Sequence, residues 1–464
     1  MIYIAVFSKL IEPPRDRLPK ERQLFSNTDL RKLIVPIIIE QVLVMMVGMV
    51  GTMMVSYSGE AAMSGVSLSE MINGIFQYVF SALAAGGTIV VSQYIGSRDM
   101  NKAQKSSNQL VMVATLISLV FMGGVLIGNR PLLSLLFGRI EADVMDAALV
   151  YLIITAFSYP FVAAYNAFSA LFRAMGHSKI NMKVSLMMNI INVLCNYIGV
   201  FRMGGGAEAV GISVLISRVF AAAVLFVLLL NKKYEISLSP KNIFTWDMDL
   251  IKRILGIAIP NGVETGAFQV SRVALTSIIA TFGTAQIAAN GVAVSLDNFN
   301  SIVNSSISLA IPTVIGQCMG ARDHEAATYY AKKLLLIAQI GSVFLCTGVF
   351  LSLPFVLDLY ELSADARWYV HTLVAMHCLW TILFGTSSGP MPSVLRAAGD
   401  VKFTMFWAIA GLAIGRVGGS YLFAIIFDMG IIGMWMAMPP HWLFNSISSY
   451  LRFRSGKWKE KRVI

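Results

Sequence analysis

The chain has 464 residues, of which 56% are apolar and 13% charged, and its formal net charge is +11. Soluble domains run at about 45–50% apolar and about 25% charged. Too few charges are therefore available to coat soluble surfaces, which excludes most soluble enzymes, nucleic-acid binders and disordered chains. The remaining solvent is lipid, and a mean hydropathy of +0.71 agrees with that.

In chain order, Met1–Phe7 is too short for a signal peptide and has no basic residue before it. A basic segment, 1–32, follows to the first span. A membrane helix needs about 20 apolar residues, and apolar runs between charge and turn clusters predict twelve spans. Their limits are 33–57, 65–92, 109–128, 145–172, 180–201, 209–231, 254–282, 289–316, 331–355, 367–393, 403–426 and 431–451. A polar interval, 232–253, separates the sixth span from the seventh, and a basic tail, 452–464, closes the chain. The domains expected are thus a segment 1–32, a bundle 33–231, a linker 232–253, a second bundle 254–451 and the tail. Cys195, Cys318, Cys346 and Cys378 lie in or beside apolar runs without ligand spacing. No disulfide framework, metal site or cofactor is expected from them.

The basic residues test the count of spans. With the N-terminus placed in the cytoplasm, 29 of the 36 Lys and Arg fall on inner segments and four on the outer side. The other three, Arg218, Arg272 and Arg416, lie inside spans. This positive-inside bias sets both termini in the cytoplasm and requires an even number of spans. The +11 then reads as an inner-face address, not as a nucleic-acid signal.

The chain repeats itself across the linker. Pro36-Ile-Ile-Ile-Glu40 returns as Pro260-Asn-Gly-Val-Glu264, and Gln93-Tyr-Ile-Gly96-Ser-Arg98-Asp99 returns as Gln317-Cys-Met-Gly320-Ala-Arg322-Asp323, both 224 residues on. Arg173-Ala174-Met-Gly176-His-Ser-Lys179 matches Arg396-Ala397-Ala-Gly399-Asp-Val-Lys402 at an offset of 223, and its glycine is suited to ending a helix. Six spans per copy is an even number, so both copies enter from the same side. The fold predicted is an all-α membrane protein of twelve transmembrane helices, in two six-helix bundles related by a pseudo-twofold axis along the membrane normal. A carrier with alternating access has a use for that symmetry. A membrane enzyme does not, and no convergent catalytic set appears.

Twelve spans as six plus six, Gln-x-x-Gly-x-Arg-Asp after spans two and eight, and Leu171-Phe-Arg173-Ala174-Met-Gly176 after span four resemble the multidrug and toxic compound extrusion (MATE) family. The copy after span ten has Val394 in the leucine position. Phe282-Gly-Thr-Ala-Gln-Ile-Ala-Ala-Asn290 is similar to that family's approach to span eight. The resemblance covers about residues 30–450. It implies a secondary antiporter with two bundles in a V, expelling organic, cationic and amphipathic drugs or toxins against an inward H+ or Na+ gradient. The setting it implies is a bacterial plasma membrane, with lipid around a monomer and no nucleic-acid partner. One departure matters: many members carry Val-Asp-Thr in span one, where this chain reads Val50-Gly51-Thr52. A coupling scheme resting on that acid does not transfer. The alternative is a lipid-linked oligosaccharide flippase of the same superfamily, which needs more basic cavity residues.

Ionisable groups inside spans cost roughly 2.5–3.5 kcal/mol on insertion scales and mark function by default. Glu264, Asp297 and Glu40 are the candidates for cation coupling, and Arg272, Arg218 and Arg416 their candidate charge partners. Arg272 lies eight residues after Glu264, on roughly the same helix face, and is also a candidate partner for Asp297. The alternative for that pair is an ion pair that merely locks two helices. Asn298, Asn300 and Asn304 flank Asp297 with oxygens suited to sodium. Asn189, Asn192 and Asn196 form a polar stripe on span five that either lines the path or ties span five to a neighbour. His377, in span ten, completes the cavity candidates. Glu70, whose repeat partner is Val294, is read as a solvated acid.

Overall fold

The computed structural model describes residues 18–19, 22–138, 141–238, 245–358 and 362–464, apart from the side chains of Met49 and Thr52. Arg139, most of the basic segment before span one and part of the linker lie outside the described residues.

All twelve predicted spans are helical. The first half contains α1 (Asn27–Ser56), α2 (Glu60–Gly96), α3 (Met100–Phe137), α4 (Ala142–Ala156), α5 (Tyr159–Ala174), α6 (Ser178–Asn196) and α7 (Ala207–Leu229). The second contains α8 (Met248–Ile279), α9 (Thr284–Asn300), α10 (Ile302–Gly320), α11 (His324–Asp358), α12 (Ala364–Trp380), α13 (Pro390–Ala397), α14 (Val401–Ala410), α15 (Gly430–Met436) and α16 (Met438–Arg454). The extra helices arise because spans four, eight, ten and twelve are broken. Among the described residues nine helices are long and apolar enough to cross a membrane, and ten if α4 and α5 form one span bent by 47°. The two remaining predicted spans are α8, which carries Glu264 and Arg272, and the α15–α16 pair, interrupted at Ala437. Large apolar side chains such as Ile127, Leu135 and Phe344 are more than 80% exposed, as expected of a surface that meets lipid. The protein is an all-α integral membrane protein.

The repeated motifs explain the corners. In Gly-x-Arg-Asp the arginine takes left-handed backbone, φ 60° at Arg98 and 57° at Arg322, and the aspartate caps the next helix. Asp99 Oδ1 accepts from the Lys102 N–H at 3.0 Å, and Asp323 Oδ1 from the Ala326 N–H at 2.9 Å. In Arg-Ala-x-Gly the glycine ends its helix as expected. Gly176 has φ 80° and Gly399 φ 101°, a region where a Cβ is strained, and each N–H donates to the carbonyl of Arg173 or Arg396.

The chain forms two compact units. The first, Thr28–Gly262, is divided from the second inside α8, not in the polar linker. The physical reason is that the described linker residues pack on the first unit. The Ser237 N–H donates to Gln104, the Asp247 N–H to Gln109, and Ile236 is fully buried beside Met175. In that unit α2 packs on α3, α4 and α5, and α6 on α7. The second unit, Val263–Ile464, also takes in the described residues before Thr28. Arg22 there binds Asp323 and Glu325 at 2.7 Å each, and the Phe25 backbone exchanges hydrogen bonds with the Tyr330 hydroxyl. In this unit α9 packs on α12, and α10 on α11 and α13.

Candidate functional site

The two repeated motifs meet in space, once in each unit. In the first, Glu40 on α1 is 6% exposed, and its Oε1 lies 3.8 Å from Nη1 of Arg173 at the end of α5. In the second, Arg396 at the end of α13 donates to Glu264 Oε1 at 2.7 Å and to Ser393 Oγ at 2.9 Å. The other carboxylate oxygen, Oε2, is buried without a hydrogen-bond partner in both Glu40 and Glu264. Each pair joins a proline-bearing helix to the basic end of another. Arg173 and Arg396 are not the partners expected from sequence, Arg272, Arg218 and Arg416, and for Glu264 the expectation is corrected. Eight residues along one helix amount to about 12 Å of rise, so Arg272 is out of reach and a cation from another helix supplies the contact.

Asp297 sits in the last turn of α9. Its Oδ1 lies 2.8 Å from His377 Nε2 and accepts from Ser301 Oγ at 3.3 Å. His377, from α12, is 1% exposed, and its ring stands edge-on to Trp435 and Trp442. It backs Asp297 and is not among the residues lining the adjacent cavity, which corrects the cavity reading of this residue. Asp297 therefore pairs with His377, not with Arg272. A cavity of about 80 Å³ opens on Asp297, and Arg272 and Arg416 line it too. Arg416 is carried by a π-helical stretch, Gly411–Gly418, that packs on α16. A Cβ at Gly415 would stand 2.5 Å from the His441 N, so only glycine permits this approach. Such extra-residue turns recur at functional sites.

The sodium cage anticipated around Asp297 does not assemble. Asn298 is exposed, Asn300 is buried and donates to Cys378 Sγ at 3.5 Å, and Asn304 accepts from Ser342 at 3.1 Å. At 3.6 residues per turn, and with α9 ending at Asn300, the three side chains leave in different directions. Among the described residues no three His, Cys, Asp or Glu converge as metal ligands.

In the first unit, Asn73 stands 224 residues before Asp297. It is fully buried and fully engaged. Its Nδ2 donates to Glu70 Oε1 at 2.8 Å and to Thr155 Oγ1 at 3.1 Å, and its Oδ1 accepts from Tyr159 at 2.8 Å. Tyr151 donates to the same oxygen of Glu70 at 2.7 Å. Glu70, half-buried, is thus hydrogen-bonded into a side-chain network rather than met by solvent alone. Arg218 donates to Ser158 Oγ at 2.7 Å, at the α4–α5 break made by Pro160, and is no acid's ion-pair partner among the described residues. On α6, Asn196 donates to Asn192 at 3.1 Å and Asn192 to Ser217 on α7 at 3.4 Å. Of the two readings for that stripe, this contact is the tie to a neighbouring helix. At Gly51, where the family resemblance leads one to look for an acid, an added Cβ meets nothing within 4 Å. Packing therefore does not account for the missing side chain.

Arg173, Arg396, Asn73, Tyr151 and Tyr159 were missed as site residues. The signal for the arginines was present, since both belong to the second repeated block. Asn73 was marked only by its register with Asp297.

Comparison with known proteins places the chain. The MatE family model matches residues 36–198 and 260–422, one copy in each half. The uncharacterized transporter YisQ of Bacillus subtilis is 28% identical, over 98% of this chain and 99% of its own length. The probable multidrug resistance protein NorM of Thermotoga maritima is 23% identical over 97% of each. The structure of a multidrug resistance MATE family transporter in an outward-facing conformation superposes with a TM-score of 0.84 at 17% identity, covering 93% of this chain and 96% of the other. With the family matched across both halves and the fold shared end to end, this chain belongs to the MatE family of transporters.

Proposed function

We propose that this protein is a monomeric secondary antiporter that exports small amphipathic organic compounds across a bacterial plasma membrane by alternating access, driven by an inward H+ or Na+ gradient, with both termini in the cytoplasm. The observation that carries the reading is that Glu40, Glu264 and Asp297, all inside predicted spans, each touch a basic side chain from another helix. A cation arriving at such an acid competes with its partner and so loosens one helix from another. That is the physical link an exchanger needs between ion binding and movement. The multidrug resistance names of its relatives support an organic cargo.

Of the two coupling ions, the geometry favours H+. The asparagines that would complete a sodium shell bond elsewhere, whereas Asp297 and His377 can hold one proton between them. Glu264 and Glu40 each keep one buried, unbonded oxygen at which a proton can sit. Glu40, Glu264 and Asp297 are each taken up by a basic partner, so among the described acids well inside spans Glu70, bonded only to neutral Asn73 and Tyr151, is the one left to meet a cationic cargo.

Dye efflux from proteoliposomes under separate proton and sodium gradients tests this, with wild type, Glu264→Gln, Asp297→Asn and Glu40→Gln. The expected result is proton-driven efflux that falls at least tenfold in Asp297→Asn and Glu264→Gln. If all three variants keep full gradient-driven efflux, the coupling assignment is wrong. If neither gradient drives any dye, the flippase alternative takes its place.

A further inference from the structure

We propose that the cavity between Arg272 and Arg416 in the second unit is a seat for the carboxylate of an exported organic acid or zwitterion. The inference rests on the reading that the chain moves small organic compounds, and it names the charge of one part of them.

Charge is the first ground. Two guanidinium groups and one carboxylate face the cavity, and the carboxylate is already engaged by His377 and Ser301 at Oδ1. The formal excess is one positive charge with histidines neutral. A monoanion cancels it. A cation would add a charge beside two arginines, and a pyrophosphate would set its further charge against Asp297. The second ground is an unmet donor. The Arg416 side chain lines the cavity, and its Nη1, buried behind that wall, has no hydrogen-bond partner, so the protein leaves this guanidinium incompletely matched. A buried charged donor left unmatched is costly, and a guanidinium fork matches a carboxylate in geometry as well as charge. Arg272 lines the same space from α8 and has no described hydrogen bond or ion pair on its side chain.

The third ground is shape. Phe268, Leu412 and Trp442 supply apolar wall around the charged groups. The volume, about 80 Å³, is roughly half the ~150 Å³ of an apolar cavity that takes up benzene. It seats a head group and leaves an apolar body to lie along the wall and beyond. At the matching position in the first unit the Asn73 side chain is already engaged by Glu70, Thr155 and Tyr159.

The test is binding without a gradient, so that it is independent of transport. Equilibrium dialysis of the full chain in detergent, with micelles alone as the blank, compares 2-naphthoate with 2-naphthylmethylammonium, one ring with opposite heads. The expected result is at least tenfold tighter binding of the naphthoate. Arg272→Gln, at an exposed side chain that leaves folding intact, and Arg416→Lys, which keeps the charge and loses the fork, should each weaken naphthoate at least fivefold. Asp297→Asn, which removes the opposing charge, should tighten it. Equal or preferred binding of the ammonium, naphthoate retained no better than by micelles, or naphthoate affinity unmoved by both arginine substitutions overturns the proposal. Naphthoate binding with no gradient-driven efflux would sink the antiport reading and leave the seat standing. Efflux without naphthoate binding would do the reverse.

Discussion

The first third of span two and the first third of span eight occupy the same place in the repeat and have been filled in opposite ways. Around Asn73 every polar group of that side chain is matched by a neighbour, and no carboxylate of the network lies against an arginine within ion-pair distance. Around Asp297 there is a cavity, an acid paired with a histidine, and an arginine with an unmet donor. The Glu–Arg pairs differ in the same sense: a hydrogen-bonded contact at 2.7 Å in the second unit against a 3.8 Å approach in the first. Duplication preserved the scaffold in both copies, but at this position it left the first with a matched polar network and the second with a cavity and an unmatched donor.

The comparison can be broken most severely by making the first unit resemble the second. Asn73→Asp removes the amide that donates to Glu70 and Thr155 and sets a second carboxylate beside Glu70. An uncompensated buried charge costs roughly 3–5 kcal/mol, so the expected outcome is a large fall in the thermal midpoint in detergent. A fall no larger than that of Asp297→Asn would show that the two sites are not differently filled. Next in size is the contrast between the Glu–Arg pairs. Glu264→Gln loses a charge-assisted hydrogen bond, worth about 1.5–3 kcal/mol, whereas Glu40→Gln, with its partner at 3.8 Å, should cost less than about 1 kcal/mol. Denaturation of both variants in micelles checks the order, and equal losses would erase the distinction.

Tyr151→Phe sharpens the account of the first unit. It deletes one of two donors to Glu70 Oε1, and a single such bond to a carboxylate contributes roughly 1.5–3 kcal/mol. The low end is expected because Asn73 remains. An unchanged midpoint would return Glu70 to the solvated role read from sequence. The smallest effect belongs to the surface clasp on Asp323. Partial burial pushes that carboxyl up, but the Arg22 guanidinium and the Ala326 N–H outweigh it and hold the group below its ordinary value of 3.8. A depressed folded value means that the contribution is complete at pH above about 3.8 and is lost as pH falls through the lower, folded value. Amide protection over residues 22–27, taken relative to the intrinsic exchange rate at each pH, should therefore be high at neutral pH and fall on acidification below pH 4. Arg22→Gln should show low protection at both. Identical exchange in wild type and variant at neutral pH would show that the clasp holds nothing.

The sequence was most legible where physics is one-dimensional. Hydrocarbon thickness fixes the length of a span, so twelve apolar runs became helical segments. The alternation of basic loops followed from the same count. The repeat could be read because Gly-x-Arg-Asp and Arg-Ala-x-Gly are local devices: a left-handed residue followed by a cap, and a left-handed glycine that ends a helix. Helix ends were less legible. The helix of span three begins at Met100, ahead of its predicted start at 109, because the polar turns 101–108 continue it, whereas its predicted end at 128 falls on the kink at Gly128, beyond which a further helical stretch runs to Phe137.

Partnership was not legible. Glu264 and Arg396 are 132 residues apart in sequence, and the nearest arginine along the chain, Arg272, proved to face a cavity instead. His377, a cavity candidate by sequence, lies behind Asp297 and edge-on to Trp435 and Trp442. Asn298, Asn300 and Asn304 looked like one cluster until the break between α9 and α10 turned them apart. Composition and period by themselves determined that this protein lives in lipid as two copies of a six-helix unit, because transfer energy and backbone satisfaction act on each segment alone. Only the tertiary structure decided which charges meet, because an ion pair depends on how separate helices are rotated and packed, and no segment carries that information by itself.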